Sequence, residues 1–308
     1  MRILVTGGAG FIGSHITVYL SRKGFVVEAL DNLERSSEIN LERLRRERVN
    51  IIVSDLRRED LRDLIKRFDV VIHAAAYVSV EESISNPWSY LDNNYYVTER
   101  ISRLLKKDQK MIYISSAAVY GEPVNIPIRE NDPKKPKSPY GLSKLLGEKA
   151  VVRNALCRGY RYVVLRLFNV YGEGQNPLYA GVITNFIARV SRDLPPVIYG
   201  DGSSVRDFIH VLDVVDAVYR AVVRDVSGIY NIGTGRGVSV KELAELVIRI
   251  SDKKDLEPIY SSARPGDIKI SIADISRARE ELGFEPRTSL VEGITDLIKN
   301  RFYQNSRP

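Results

Sequence analysis

A chain of 308 residues, 44% hydrophobic and 28% charged, has the composition of a folded protein large enough for one main domain and a smaller partner, and excludes a disordered or low-complexity polymer. Its 46 Lys and Arg exceed 39 Asp and Glu to give a formal charge of +7, yet the densest basic stretch, Arg35 to Arg67, is interleaved with Glu38, Glu42, Glu47, Glu59, Asp60 and Asp63; this pattern reads as ion-paired helix faces and not as a nucleic-acid stripe. A single cysteine, Cys157, excludes an internal disulfide and any multi-cysteine metal site, and reads as a buried inert thiol.

Met1-Arg2 leads straight into the apolar run "ILVTG" with no leader, and no stretch reaches the ~18 apolar residues a membrane span requires, so a cytoplasmic protein without a membrane partner is expected. Strands are predicted at Arg2–Thr6, Val26–Leu30, Ile51–Val53, Val70–Ala74, Met111–Ser115 and Tyr162–Phe168. Their alternation with helix-length spacers implies right-handed crossovers and a parallel, doubly wound α/β sheet. The remainder, punctuated by Pro195-Pro196, Gly200-Asp201-Gly202, Gly233-Thr234-Gly235 and Pro265-Gly266, reads as a second, smaller α/β lobe. High Arg and Glu with abundant Ile and Val points to a thermophilic source.

The first turn is "TGGAGFIGSH". Gly7, Gly10 and Gly13, spaced GxxGxxG, let the chain turn tightly, approach a pyrophosphate and pack helix on strand, while the helix start at Phe11 and Ile12 supplies N–H groups. Asp31 closes the second strand, where a carboxylate accepts both ribose hydroxyls and repels a 2′-phosphate, favouring NAD; the competing reading is a helix cap. Asp55 ends the third strand and is placed at the adenine or, equally, as a cap.

Further on, "SPYGLSKLLGEK" sets Tyr140 and Lys144 four apart, one turn on one helical face. A phenol titrates near pH 10, so about 4 kcal/mol must come from its surroundings before it acts as a base near neutrality. A lysine cation and a positive nicotinamide ring are the expected sources. Ser116 is then expected to hydrogen-bond the same substrate hydroxyl and steer its proton to Tyr140.

Nine segments in order, "TGGAGFIGSH", "HAAAYVSVEES" from His73, "NPWSYLDNN" to Asn94, "SSAAVYGE" from Ser115, "SPYGLSK", "RLFNVYG" from Arg166, "VRDFIHVLD" from Val205, "YNIGTG" from Tyr230 and "ARPGDI" from Ala263, resemble the extended short-chain dehydrogenase/reductases, and within them the NAD-dependent nucleotide-sugar epimerase/dehydratase group. The resemblance implies a Rossmann-type NAD domain over 1–168 plus about 206–230, and a nucleotide-sugar lobe over about 169–205 plus 231–308, with the chain rejoining the sheet near "FIHVLD". It implies Ser116, Tyr140 and Lys144 as catalytic residues. NAD contacts are then expected from Gly7, Gly10, Phe11, Ile12, Gly13, Asp31, Asn32, Asp55, Leu56, Ala74, Ala75, Ala76 and Asn93, together with Tyr140 and Lys144.

For a nucleotide-diphosphate sugar the same resemblance suggests Asn169 and Asn185 on the sugar and phosphate side, Val197 and Tyr199 along the base, Arg206 and Arg264 as a diphosphate clamp, and Asp267 on the ribose or ordering its loop. Guanidinium forks suit phosphate oxygens. In the related 4,6-dehydratases an Asp-Glu pair follows the catalytic hydroxyl; here Ala117 and Ala118 stand there. Without that acid and base, oxidation and re-reduction at one carbon remain, which is 4-epimerisation of a UDP-hexose such as UDP-glucose or UDP-galactose. Ser271 falls at a gate where bulky residues exclude N-acetyl sugars. A UDP-glucuronate 4-epimerase or decarboxylase, a nucleotide-sugar reductase and a non-catalytic dinucleotide-binding regulator are the alternatives. No metal is implied. A homodimer through the helices bearing "TERISRLL" and "YGLSKLLGEK" is expected.

Overall fold

The computed structural model describes residues 1–176, 179, 181–263 and 267–305, with side chains as far as Lys299. In chain order the strands are β1 Arg2–Thr6, β2 Val26–Asp31, β3 Asn50–Val53, β4 Val70–His73, β5 Lys110–Ser116, β6 Arg161–Leu167, β7 Asn169–Tyr171, β8 Val197–Tyr199, β9 Val205–Arg206, β10 Phe208–His210, β11 Gly228–Ile232, β12 Val238–Ser239, β13 Ile259–Ser261 and β14 Ile270–Ser271. The helices are α1 Phe11–Arg22, α2 Glu38–Arg46, α3 Arg62–Ile65, α4 Val80–Ser85, α5 Pro87–Tyr90, α6 Val97–Leu104, α7 Pro139–Arg158, α8 Val182–Val190, α9 Val211–Val223, α10 Val240–Ile250 and α11 Leu290–Asn305.

Seven strands form one parallel sheet in the order β11-β6-β5-β4-β1-β2-β3. The strand period of two divides its side chains between two cores. Ile3 and Val5 of β1 pack with Ile16 and Leu20 of α1 and Val214 and Val218 of α9, whereas Leu4 faces Ile101 of α6 and Val151 of α7. A separate cluster joins Ile183 and Phe186 of α8, Leu243 and Val247 of α10 and Ile294 of α11.

One expectation is corrected here. "FIHVLD" does not rejoin the main sheet: Phe208–His210 pairs with Asn169–Tyr171 in a small two-stranded sheet, and the chain comes back as α9 against α1 before β11 extends the main sheet beside β6. A second correction concerns Cys157, which is exposed near the solvent-facing end of α7. Its helical position, not its apolar chemistry, decides its burial.

The charge run behaves as its alternation suggests, because Arg45–Glu38, Arg46–Glu42, Arg62–Asp60 and Lys66–Asp63 pair at the surface, where such pairs add little stability. Behind α7 lies a different kind of pair. Arg166 and Glu148 are both buried and joined at 2.7 Å; Ser115 Oγ donates to the same carboxylate at 2.5 Å, and Tyr120 accepts from Arg166 at 2.8 Å. This satisfied network moors α7 to the ends of β5 and β6. The seating is close: a Cβ on Gly147 would stand 2.3 Å from the Tyr113 hydroxyl, and one on Gly141 2.6 Å from the Ala118 carbonyl.

Candidate active site

The sheet delivers the carboxyl ends of β1, β2, β3 and β4 to one edge, where open parallel sheets bind ligands. Gly7, at φ 68°, turns the chain there, and its N–H reaches back to the Leu30 carbonyl at 2.8 Å. A Cβ on Gly7 would meet Ala75 at 2.6 Å, and one on Gly13 would lie 1.9 Å from the Gly7 oxygen. The turn is thus sandwiched between its own helix and the Ala74–Ala76 segment. A cavity opens beside it, lined by Gly7, Gly10, Asp31, Asn32, Asp55, Leu56, Ala74, Ala75, Ala76 and Asn93, all anticipated, and also by Leu30, Arg35, Ser36, Ser54 and Tyr77.

Asp31 bridges the cavity's two sides. Its Oδ2 accepts the Ala9 N–H at 3.0 Å, and its Oδ1 accepts the Leu33 N–H at 2.8 Å and, weakly, the Ser36 hydroxyl at 3.4 Å. An ionised carboxylate has about four acceptor positions, so these three donors leave capacity for a ribose hydroxyl. It does not cap α2, which starts after Ser37. Asp55 differs: Arg57 donates to it from backbone and side chain and holds its carboxyl below the usual range, so that side chain orders its own turn. An adenine dinucleotide fits this donor and acceptor set, with Leu56 buried beside it.

Farther along, Ser138 caps α7 by accepting from Gly141 N–H at 3.1 Å and Pro139 fills the first helical position, which fixes Tyr140 in the opening turn. Tyr140 packs with Tyr77, Tyr90 and Ala118. Burial raises its phenol above the ordinary value, and a hydrogen bond with Ser116, at the end of β5, draws it partway back. Lys144 follows one turn on in the same helix. Its Nζ donates to the Ile114 carbonyl at 2.7 Å and stands 4.9 Å from the Tyr113 ring centre. Burial brings it down to about 7, with Glu148 one turn on opposing the shift. The ammonium is therefore a weaker source of phenol acidity than a fully charged neighbour.

That shift carries a stability consequence. Lys144 titrates near 7 when folded and near 10.5 when unfolded; below pH 7 both states hold the proton and the fold bears the whole cost of the buried charge, which fades as pH rises from 7 towards 10.5. Lys144→Met is expected to be inactive yet roughly 2–4 kcal/mol more stable at pH 6, with the gain shrinking by pH 9. Denaturant titration at the two pH values checks it, and a gain independent of pH would contradict it.

Two neighbours were not apparent from the sequence. Asn94, in a π-helical stretch Leu91–Tyr96 of the kind that often marks functional sites, accepts from Tyr77 N–H at 2.8 Å and donates to Tyr77 O at 2.9 Å and Ser143 Oγ at 3.0 Å. It locks the cavity wall to the helix carrying Tyr140. Asp207 takes N–H groups of Thr234, Gly235 and Ala273 at 2.8, 2.9 and 3.2 Å and so ties the segment between β9 and β10 to those after β11 and β14. The three histidines sit in structural roles: His73 between Thr6 and Thr98, His15 on the Glu173 carbonyl and His210 capping α9.

Beyond β6, Asn169 donates its amide to the Asp207 carbonyl at 2.9 Å, Asn185 lies in α8, and Val197 and Tyr199 lie in β8 with Tyr199 exposed. Arg206 pairs with Asp267 at 2.5 Å, and Ser271 is its register partner across β9 and β14. Arg264 lies outside the described residues.

The model of the NAD dependent epimerase/dehydratase family matches residues 3–233. Over 311 residues the chain is 40% identical to a putative UDP-glucose 4-epimerase of Methanocaldococcus jannaschii, covering 99% of each. Among solved structures, a UDP-N-acetylglucosamine 4-epimerase from Methanobrevibacter ruminantium M1, in complex with UDP-N-acetylmuramic acid, superposes with a TM-score of 0.93 at 36% identity over 98% of both chains. A UDP-glucose 4-epimerase of Thermus thermophilus in complex with NAD gives a TM-score of 0.88 at 32% identity over 100% of both.

Proposed function

The chain belongs to the NAD dependent epimerase/dehydratase family, and from that premise we propose that it interconverts UDP-hexoses differing at C4: UDP-glucose with UDP-galactose, and their N-acetyl forms. One observation carries the reading. Ser116, half-buried beside the buried Tyr140, is followed by Ala117 and Ala118, small packing residues with no proton to give, so the site has the parts for oxidation at one carbon and lacks a dehydratase's acid and base.

NAD, when bound, supplies a reversible hydride acceptor beside the sugar's C4. Tyr140 takes the 4-hydroxyl proton and later returns it. Ser116 orients that hydroxyl, and Lys144, held by Ile114, keeps a partly charged group behind the phenol. Arg206, preset by Asp267, receives the diphosphate, with Arg264 as its expected second fork and Asn169, Asn185, Val197 and Tyr199 flanking the nucleotide sugar. Affinity placed on the diphosphate leaves the 4-keto sugar loose enough to present either face. The hydride and proton that leave both come back, so the product is an isomer. The same reading assigns the cavity to a nucleotide-binding domain over 1–168 and about 206–230, and substrate to the remaining lobe.

Incubation with UDP-galactose and UDP-N-acetylgalactosamine, with products resolved by anion exchange, is expected to give the gluco epimers with no net NADH. Stoichiometric change in reduced cofactor would assign a reductase instead. Ser271→Tyr, which adds a ring beside Arg206, is expected to cut kcat/KM for the N-acetyl sugar at least tenfold and for UDP-galactose less than about threefold; equal losses would remove Ser271 as a gate.

Among the described residues no helix is long and apolar enough to cross a membrane, in keeping with a cytoplasmic enzyme. Leu142 and Leu156 on α7 and Tyr96 before α6 are exposed, an apolar stripe that suits a homodimer through these helices. Sedimentation reads that association directly.

A further inference from the structure

An arginine close to the ribose-binding acid of a dinucleotide fold ordinarily signals a 2′-phosphate. Arg35 lines the same cavity as Asp31, Asn32 and Ser36, yet its charge is already committed. Nη1 and Nη2 donate to the two oxygens of Glu82 at 2.9 and 2.6 Å, and the guanidinium lies 3.8 Å from the Tyr77 ring centre and 4.6 Å from that of Tyr179. Its fork is closed by a carboxylate and its planar faces are covered by aromatic rings.

Glu82 is fixed in turn. It belongs to α4, whose cap Ser79 accepts its N–H at 3.0 Å, and its Oε2 accepts the Tyr90 hydroxyl at 3.0 Å. The pairing keeps its carboxyl below the usual range, so it stays ionised at neutral pH. Arg57, which donates to the hydroxyl of the lining residue Tyr77 at 3.0 Å, is handled alike: it is tied to Asp55 at 2.7 Å and to Glu34 at 3.4 Å. Of the charged residues lining the cavity, Asp31 and Asp55 outnumber Arg35.

We infer that Glu82 is a cofactor-specificity residue: by occupying the fork of Arg35 it withholds from a 2′-phosphate the arginine that would otherwise receive it, so that preference for NAD over NADP depends on Glu82 as well as Asp31. The inference rests on reading the cavity as an NAD site. A phosphate entering there must either displace Glu82, stranding a carboxylate beside a dianion, or forgo the bidentate contact that makes arginine a good phosphate ligand. A purely structural tie between the loop after β2 and α4 makes a different forecast, since it supports both dinucleotides equally.

The experiment measures NAD and NADP dissociation constants by calorimetry on nucleotide-stripped full-length protein. Glu82→Gln is expected to raise NADP affinity relative to NAD by about tenfold or more, a typical worth for one charge-assisted phosphate contact. The double variant Arg35→Ala, Glu82→Gln should lose that gain, since the phosphate ligand is then gone. Should Glu82→Gln fail to fold, Glu82→Asp, too short to meet both nitrogens well, is expected to shift the ratio in the same direction by less. An unchanged ratio, equal weakening of both dinucleotides, or a gain that survives in the double variant overturns the inference while leaving the NAD site intact. A wild-type protein that binds neither dinucleotide overturns both.

Discussion

Tyr140→Phe is expected to lower kcat by about a thousandfold or more while NAD affinity moves less than about threefold. Removing a positioned general acid–base costs roughly 10²–10⁴ in rate, and here one hydroxyl both takes and returns the proton, so both halves of the cycle lose it. The ring itself is preserved. Its edge-on contact with Tyr90 at 6.4 Å and its packing against Tyr77 and Ala118 remain, and only the hydroxyl's hydrogen bond with Ser116 goes with it. Initial rates with UDP-galactose, paired with fluorescence titration of NAD, separate chemistry from binding. Activity within tenfold of wild type would take the phenol out of the mechanism.

Gly13→Ala is the second large effect, and its sign is informative. In an ordinary helix the change from Gly to Ala stabilises by about 1 kcal/mol. Here the added carbon would stand 1.9 Å from the Gly7 carbonyl oxygen and 2.8 Å from its carbon, contacts that only movement of the turn relieves. Because Gly7 is itself confined by Ala75, the helix start must slide away from β1 and carry its N–H groups with it. A hundredfold or greater loss of NAD affinity is expected, about 3 kcal/mol, with a lower thermal midpoint. A variant that binds NAD normally and melts higher would show that the turn has slack.

Six of the seven main-sheet strands were readable because each is a short β-branched run and the sheet buries both faces; β5 gained one residue at each end, Lys110 and Ser116, the other five moved at each boundary by a residue at most, and β11, Gly228–Ile232, was not anticipated. The glycine turn, Asp31 and the Tyr140–Lys144 spacing were readable for a related reason, as each follows from a few adjacent residues. What stayed hidden depends on partners far apart in sequence. Lys144 finds Ile114 across thirty positions, Arg35 finds Glu82 across forty-seven, and Asp207 collects N–H groups from two separate loops. Asp55 shows the opposite limit: the sequence left cap and adenine contact open, and the adjacent Arg57 claims the side chain.

The seating of α7 also bears on how new substrates arise in this scaffold. With Gly147 against the Tyr113 hydroxyl and Gly141 against the Ala118 carbonyl, main-chain proximity sets the spacing of the reactive groups, and no bulkier residue is admitted at either position. Variation towards other sugars is then channelled into β8, β9 and β14, where Tyr199 is exposed and Ser271 neighbours Arg206. A directed-evolution library concentrated on those strands should yield altered sugar preference far more often than one of equal size spread over α7.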